Sequence, residues 1–136
     1  QRQMCIRDRL KSVGLFADGT AVAEIGGKTF SILKELVDDV VLVSTDEICA
    51  AIKDIYNEVR AICEPSGAMS LAGLKKFVSQ NAISKSSLIT IQCGANIDFD
   101  RLRYISERTE VGEKKEAILA VTLRRRLVAF ISSVEY

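Results

Sequence analysis

Cys93-Gly94-Ala95-Asn96 is the stretch whose residue types best suit ligand chemistry. A small side chain, a glycine and an amide in succession let a flat ligand approach the backbone while one group reaches its edge. A plain β-to-α turn that needs a glycine would carry the same residues. Glu64 stands between Cys63 and Pro65, either facing a pocket with a raised pKa or closing a helix in solvent. Asp18-Gly19 could supply a loop contact or simply turn the chain. The chain has no histidine and no tryptophan, which excludes Ser-His-Asp and Cys-His catalysis and any His-ligated metal site from within it. Cys5, Cys49, Cys63 and Cys93 show no C-x-x-C spacing. They read as free thiols of a reducing compartment, with no metal site and no disulfide framework. Neither Cys49 nor Cys63 has the basic neighbour that marks a reactive thiol, and both suit a core.

The totals set bounds on everything else. The chain has 136 residues, 48% of them hydrophobic and 27% charged, with a net charge of +1. That is one modest soluble domain with no broad field for nucleic acid or an anionic membrane. Lys114-Lys115-Glu116 and Arg124-Arg125-Arg126 lack interleaved aromatics and read as solvated surface. No apolar run is long enough to span a bilayer. Residues 1–9 are basic and aperiodic without an apolar stretch after them, so they read as a disordered or foreign leader and not a secretory signal. Cytoplasm is the default location.

The elements that must position these residues follow from pattern. Residues 13–20 form a loop, with Gly14 and Gly19 free to adopt angles that other residues avoid. Helical spacing from Thr20 to Val37 is broken by Gly26-Gly27 into a short helix and a longer one. Val40-Val41-Leu42-Val43 reads as a buried strand. Ser44-Thr45-Asp46-Glu47 is a capping box, and the helix behind it puts Ile48, Ile52, Ile55, Val59 and Ile62 on one stripe. That helix should stop at Glu64, because proline disfavours helical angles in the residue before it. Pro65 opens the next helix over residues 66–80, packing through Met69, Leu71, Ala72, Leu74, Phe77 and Val78. A polar turn leads to a second buried strand, residues 88–93. Asp98 or Asp100 caps a short helix through Tyr104 and Ile105. Residues 110–115 form a charged connector, and residues 117–123 a third strand. Helices and strands thus alternate, which predicts an α/β fold with a mainly parallel sheet. Ligands in such folds sit beyond the carboxyl ends of the strands, at Ser44 and at Cys93 to Asn96.

Three segments carry a resemblance: VGLFADGTAVAEIGGKTF from Val13, DDVVLVSTDEICAAIKDIYNEVRAICEPSGAMSLAGLKKF from Asp38, and CGANIDFDRLRYISERTEVGEKKEAILAVTL from Cys93. In order and spacing they resemble the biosynthetic threonine dehydratase family, from near Lys11 to Leu123. The resemblance implies a fold-type-II pyridoxal-phosphate enzyme of the tryptophan synthase beta-like class, a three-layer α/β/α domain of which this chain holds part. It implies deamination of L-threonine to 2-oxobutanoate and ammonia on the route to isoleucine, with L-serine as a second substrate. Pyridoxal 5'-phosphate serves there as an electron sink. The complete enzyme is implied to be a homo-oligomer, a tetramer in the family.

The resemblance also implies roles for particular residues. Cys93 stands where the family has a serine whose hydroxyl bonds the pyridine nitrogen; a thiol is a weaker donor. Gly94 and Glu64 are implied to lie at the cofactor, and Asp18 and Gly19 at a loop bordering the substrate cleft. No catalytic residue is assigned, because none of the nine lysines sits in the family's Schiff-base motif. Its Ser-x-Gly-Asn loop and glycine-rich phosphate cup are likewise missing. The expected organisation is a non-matching leader at 1–10, the closing half of the catalytic domain at 11–116, the start of a regulatory domain at 117–123, and a non-matching tail at 124–136. Such a polypeptide alone should neither hold the cofactor covalently nor turn over threonine. Two other readings stay open: a fragment of a catabolic serine/threonine dehydratase or serine racemase, and a non-catalytic α/β module that binds a small ligand or partner.

Overall fold

A reciprocal cap starts the central helix. In the computed structural model, which describes residues 8–113 and 115–116, the Ser44 hydroxyl accepts from the Glu47 N–H at 3.2 Å. The Glu47 carboxylate in turn accepts from the Ser44 N–H at 2.6 Å. Among the described residues four helices follow one another as α1 (Gly27–Leu36), α2 (Thr45–Val59), α3 (Pro65–Asn81) and α4 (Arg101–Gly112). The cap satisfies two donors at the start of α2 that have no partner inside a helix. Ser44→Ala should therefore cost about 1 kcal/mol, read as a lower urea midpoint with an unchanged slope.

Three positions of the expected stripe on α2 make the core. Ile48, Ile52 and Ile55 are buried, whereas Val59 and Ile62 stand 62% and 37% exposed. The helix ends earlier than proline alone would dictate. Arg60 takes a left-handed φ of 57° and donates its N–H to the Tyr56 carbonyl at 2.9 Å, closing the last turn well before Pro65. Pro65 then occupies the first turn of α3, as expected, where its missing N–H costs nothing. Buried Ala68 and Ala72 of α3 and Ile105 of α4 join the α2 isoleucines, Cys49 and Cys63 in one cluster, with Met69 and Leu71 packed against it.

Ion pairs fix how the helices sit. Asp46 meets Arg108 at 2.7 Å, and Lys53 meets Glu110 at 3.1 Å and Glu113 at 2.9 Å, joining α2 to the end of α4. Glu47 meets Lys76 at 3.0 Å, and Asp54 meets Lys75, joining α2 to α3. Partly exposed pairs of this kind contribute little each, so they set register more than stability. They also explain why α4 runs on to Gly112 when a short helix and a loose charged connector were expected: Glu110 is anchored on Lys53, a partner far away in sequence. At the other end of α4 the expected carboxylate cap is not made. Asp100 has helical backbone angles and no capping side-chain bond; instead Arg101 N–H donates to the Asp98 carbonyl at 3.0 Å.

The acid response follows from two of these carboxylates. Burial raises the Glu47 pKa, but the Ser44 N–H and the Lys76 ammonium outweigh it and leave the group below its ordinary 4.5. Lys115 and Lys53 hold Glu113 down as well. A carboxylate depressed in the folded state binds its proton more readily when unfolded. Its stabilisation is present above the unfolded value and disappears as pH falls through the folded one. The urea midpoint should thus drop between about pH 5 and 3, and drop less in Glu47→Gln. A midpoint that stays level across that window would contradict the assignment.

The predicted sheet is not formed by the described residues alone. Among the described residues no strand forms; the isolated bridge is antiparallel, between Arg9 and Glu24. Residues 40–43 and 88–93 make no ladder, and Val40, Leu42, Ile89 and Ile91 are 50%, 77%, 92% and 77% exposed. Parallel strands bond to neighbours reached through long crossovers, and here each segment has its helix without a neighbouring strand. Both lie along α3, where Val41, Ile89 and Thr90 share a groove with Leu74 and Phe77. The Ser70 hydroxyl donates to the Ile91 carbonyl at 2.5 Å. The short helix expected before Gly26 is a single 3-10 turn, Asp18–Thr20. Gly14 and Gly19 do not use positive φ, which among the described glycines falls to Gly94. Residues 1–7, the third strand expected at 117–123 and the tail from Arg124 lie outside the described residues.

Candidate functional site

Glu64 is where the separate segments meet. Its N–H donates to the Gly94 carbonyl at 3.1 Å, and its carboxylate accepts from the Asn96 N–H at 3.2 Å. These two bonds lash the entrance of α3 to the turn after residue 93. The turn itself demands glycine. Gly94 has φ of 78°, and a β-carbon there would stand 2.2 Å from Glu64 Oε1. Any side chain would both strain the backbone and evict the carboxylate.

Two further glycines close the cradle. A β-carbon on Gly67 would lie 1.7 Å from the Cys93 carbonyl oxygen, so the first turn of α3 packs directly on the backbone of residue 93. A β-carbon on Gly19 would lie 2.8 Å from Ser66 Oγ and 3.5 Å from Glu64 Oε1. The 3-10 turn Asp18–Thr20 therefore sits against Glu64 and Ser66. Of the residues singled out from the sequence, Glu64, Cys93, Gly94 and Gly19 thus come together. Asp18 arrives only as the neighbour of Gly19: its exposed carboxylate accepts the Gly19 N–H at 3.0 Å.

Sequence reasoning missed Ser66 and Gly67. Ser66 Oγ is buried without a hydrogen-bond partner among the described residues, and buried hydroxyls are usually paired. A glycine in the first turn of a helix, where it weakens the helix by roughly 1 kcal/mol against alanine, was the available signal for Gly67. The described thiols fall into two classes. Cys93 is exposed, while Cys49 and Cys63 are buried. Burial, with Asp46 adding to it, pushes Cys49 up to about 11. Burial also pushes Cys63 up, with the charges of Glu64 and Cys93 adding to it. Both are neutral core thiols at physiological pH.

The donor set fits the edge of a flat, polar cofactor. Three glycines keep side chains out, Ser66 Oγ lacks a partner, and an exposed thiol and a carboxylate flank the same turn. Such an arrangement can bind and orient a ligand.

A family model described as pyridoxal-phosphate dependent enzyme matches residues 5–94, a span that takes in every residue of this cradle from Asp18 to Gly94. The chain belongs to the pyridoxal-phosphate-dependent enzyme family. Within that family it is 56% identical over 122 residues to the L-threonine dehydratase biosynthetic IlvA of Pasteurella multocida, covering 90% of this chain and 24% of that protein. Its structure resembles the processed form of threonine deaminase isoform 2 from Solanum lycopersicum, with a TM-score of 0.74 and 43% identity, covering 76% of this chain and 28% of that one. Serine racemase from Dictyostelium discoideum is more distant, with a TM-score of 0.53 and 35% identity over 66% of this chain and 29% of that one. The chain thus spans about a quarter of the length of the curated relatives it matches. Family and structural neighbour together support an α/β pyridoxal-phosphate fold.

Proposed function

We propose that this chain is the closing part of the catalytic domain of a pyridoxal-phosphate-dependent threonine ammonia-lyase, which converts L-threonine to 2-oxobutanoate and ammonia. The observation that carries the reading is the cradle at Glu64, Gly94 and Cys93, lying within a span so similar to threonine dehydratases. In this reading residues 11–116 belong to the catalytic domain and 117–123 begin a regulatory one, with 1–10 and 124–136 outside both. Residues 40–43 and 88–93 become strands of a mainly parallel sheet when the rest of that domain lies beside them. The protein carrying the segment works as a homo-oligomer in the cytoplasm. Among the described residues no helix is long and apolar enough to cross a membrane.

The residues of this chain bind and orient. Cys93 and Gly94 would hold the edge of the cofactor ring, the thiol offering a weak S–H donor and the glycine leaving room for the ring. When bound, the cofactor supplies an electron sink for the α-carbon of an amino acid. Glu64, held by the Asn96 N–H, keeps its carboxylate at the turn and prevents it from swinging away. Asp18 and Gly19 would border the opening through which substrate enters.

The test is turnover by the full-length protein that contains this segment. Supplied with pyridoxal 5'-phosphate, it should release 2-oxobutanoate from L-threonine faster than pyruvate from L-serine. The structural likeness to a serine racemase motivates a second reading, in which D-serine forms from L-serine and threonine is ignored; that product pattern would replace the first.

A further inference from the structure

The entrance of α3 grips the chain around residue 93 at three points, and each grips backbone. Glu64 N–H donates to the Gly94 carbonyl at 3.1 Å, and the Glu64 carboxylate accepts the Asn96 N–H at 3.2 Å. The third point is Gly67. A β-carbon there would stand 1.7 Å from the Cys93 carbonyl oxygen, 2.8 Å from the carbonyl carbon and 3.3 Å from the Cys93 nitrogen. Ordinary contact for a β-carbon begins at about 3.4 Å, so any larger residue must open the gap from 1.7 Å toward that value. The three contacts use no atom of the Cys93 side chain. Pro65, Gly67 and Ala68 are buried in the same turn. Further chain laid around atoms already packed together adds to these contacts without opening them.

We infer that Gly67 is a positioning residue for the cofactor: by letting α3 bear directly on the Cys93 carbonyl, it sets how far residue 93 reaches toward the ring. The inference rests on the proposed function, which gives Cys93 and Gly94 the edge of that ring. Glycine is a poor helix former, and here its cost is offset by an approach no other residue allows. Held by its carbonyl, residue 93 keeps its backbone in place whatever side chain it carries, so its one short polar group meets the ring at a fixed distance. Hydrogen bonds weaken over a few tenths of an ångström. A methyl at position 67 demands several times that, so the shift that relieves the clash also withdraws the donor. Gly73 of the same helix has open space where its β-carbon would go and carries no such role.

The test uses the full-length protein that contains this segment. It reads the affinity of the apoprotein for pyridoxal 5'-phosphate by equilibrium dialysis, beside threonine turnover. Gly67→Ala should weaken cofactor binding by about 10-fold, the worth of one hydrogen bond. At saturating cofactor it should lower kcat by roughly 100-fold, as a misplacement near 1 Å does, with KM for threonine changed far less. Two variants separate this from lost stability. Ile52→Ala, in the core of α2, should lower the urea midpoint comparably yet bind the cofactor as wild type does. Gly73→Ala should leave affinity and kcat unchanged. Should Gly67→Ala fail to fold, hydrogen exchange on the wild-type protein gives the answer. Coupling between cofactor and clamp is reciprocal, so adding pyridoxal 5'-phosphate to the apoprotein should slow exchange at the Glu64 and Asn96 amides. Exchange there that ignores the cofactor would overturn the inference and leave the proposed function standing. So would wild-type affinity and kcat in Gly67→Ala, or an equal loss of affinity in Ile52→Ala. A wild-type protein that neither binds the cofactor nor consumes threonine would overturn both.

Discussion

Gly67→Ala should destabilise the chain by about 3 kcal/mol, the upper end of the usual cost of overpacking a tight interior. Two effects oppose each other. Alanine favours a helix over glycine by up to ~1 kcal/mol, which would stabilise α3. Against that, the added methyl would stand 1.7 Å from the Cys93 carbonyl oxygen, an atom of the backbone that no rotamer change can move aside. The clash must push α3 off the turn and with it the Glu64–Gly94 bond, so it wins. Gly73 provides the control in the same helix. A β-carbon there meets nothing within 4 Å, and Gly73→Ala should stabilise by up to ~1 kcal/mol. Urea denaturation of both variants reads the contrast. Equal effects at the two positions would mean that α3 does not rest on residue 93.

Ile52→Ala should cost about 3 to 4 kcal/mol, within the usual range for emptying a packed aliphatic site. Ile52 is 3% exposed in the middle of α2, among the side chains that α3 and α4 close upon. Its loss removes transfer free energy and leaves a hole bounded by helices that ion pairs hold in register. Against a total stability of roughly 5 to 15 kcal/mol for a domain, such a loss should leave a transition at much lower denaturant. Val59, on the same predicted stripe but 62% exposed, should tolerate alanine within about 0.5 kcal/mol. Circular dichroism during denaturation separates the two, and matching losses would mean that the stripe is buried to its end.

Local chemistry was the most legible part of the sequence. The capping box at Ser44 and Glu47 and the proline start of α3 need only neighbours a few residues away, and both form as read. The end of α2 was misjudged because Pro65 constrains Glu64 and says nothing about Arg60, where a left-handed angle stops the helix first. The length of α4 was hidden because what its last turn packs on, the Asp46 carbonyl beside Gly112 and the Lys53 ammonium beside Glu110, lies on α2, far away in sequence. The sheet was read from β-branched runs, but a run of Val and Ile specifies what wants burying, not what will lie beside it. In this chain Ile89 and Ile91 have the composition of a buried strand and the exposure of a surface.

The site was legible in a different way. Glu64, Cys93, Gly94 and Gly19 were singled out by residue type and by the family resemblance, and they do converge, through backbone hydrogen bonds and close glycine contacts. What pattern could not supply was the packing that makes convergence possible. Gly67 looks like a mildly unfavourable helical residue until the carbonyl beneath it is seen, and Ser66 looks like an ordinary polar residue until its hydroxyl is found buried and unpaired.

The approach of Gly112 to Asp46, whose carbonyl oxygen would lie 2.3 Å from a β-carbon at 112, ties the last turn of α4 to the first turn of α2. A ribosome delivers these two turns far apart in time. The pair α2 and α3 can close on itself as soon as both have left the exit tunnel, since their contacts are near in sequence. Ile105 and the fully enclosed Thr109 come last, so until they arrive a nascent chain carries an open aliphatic flank that chaperones would recognise.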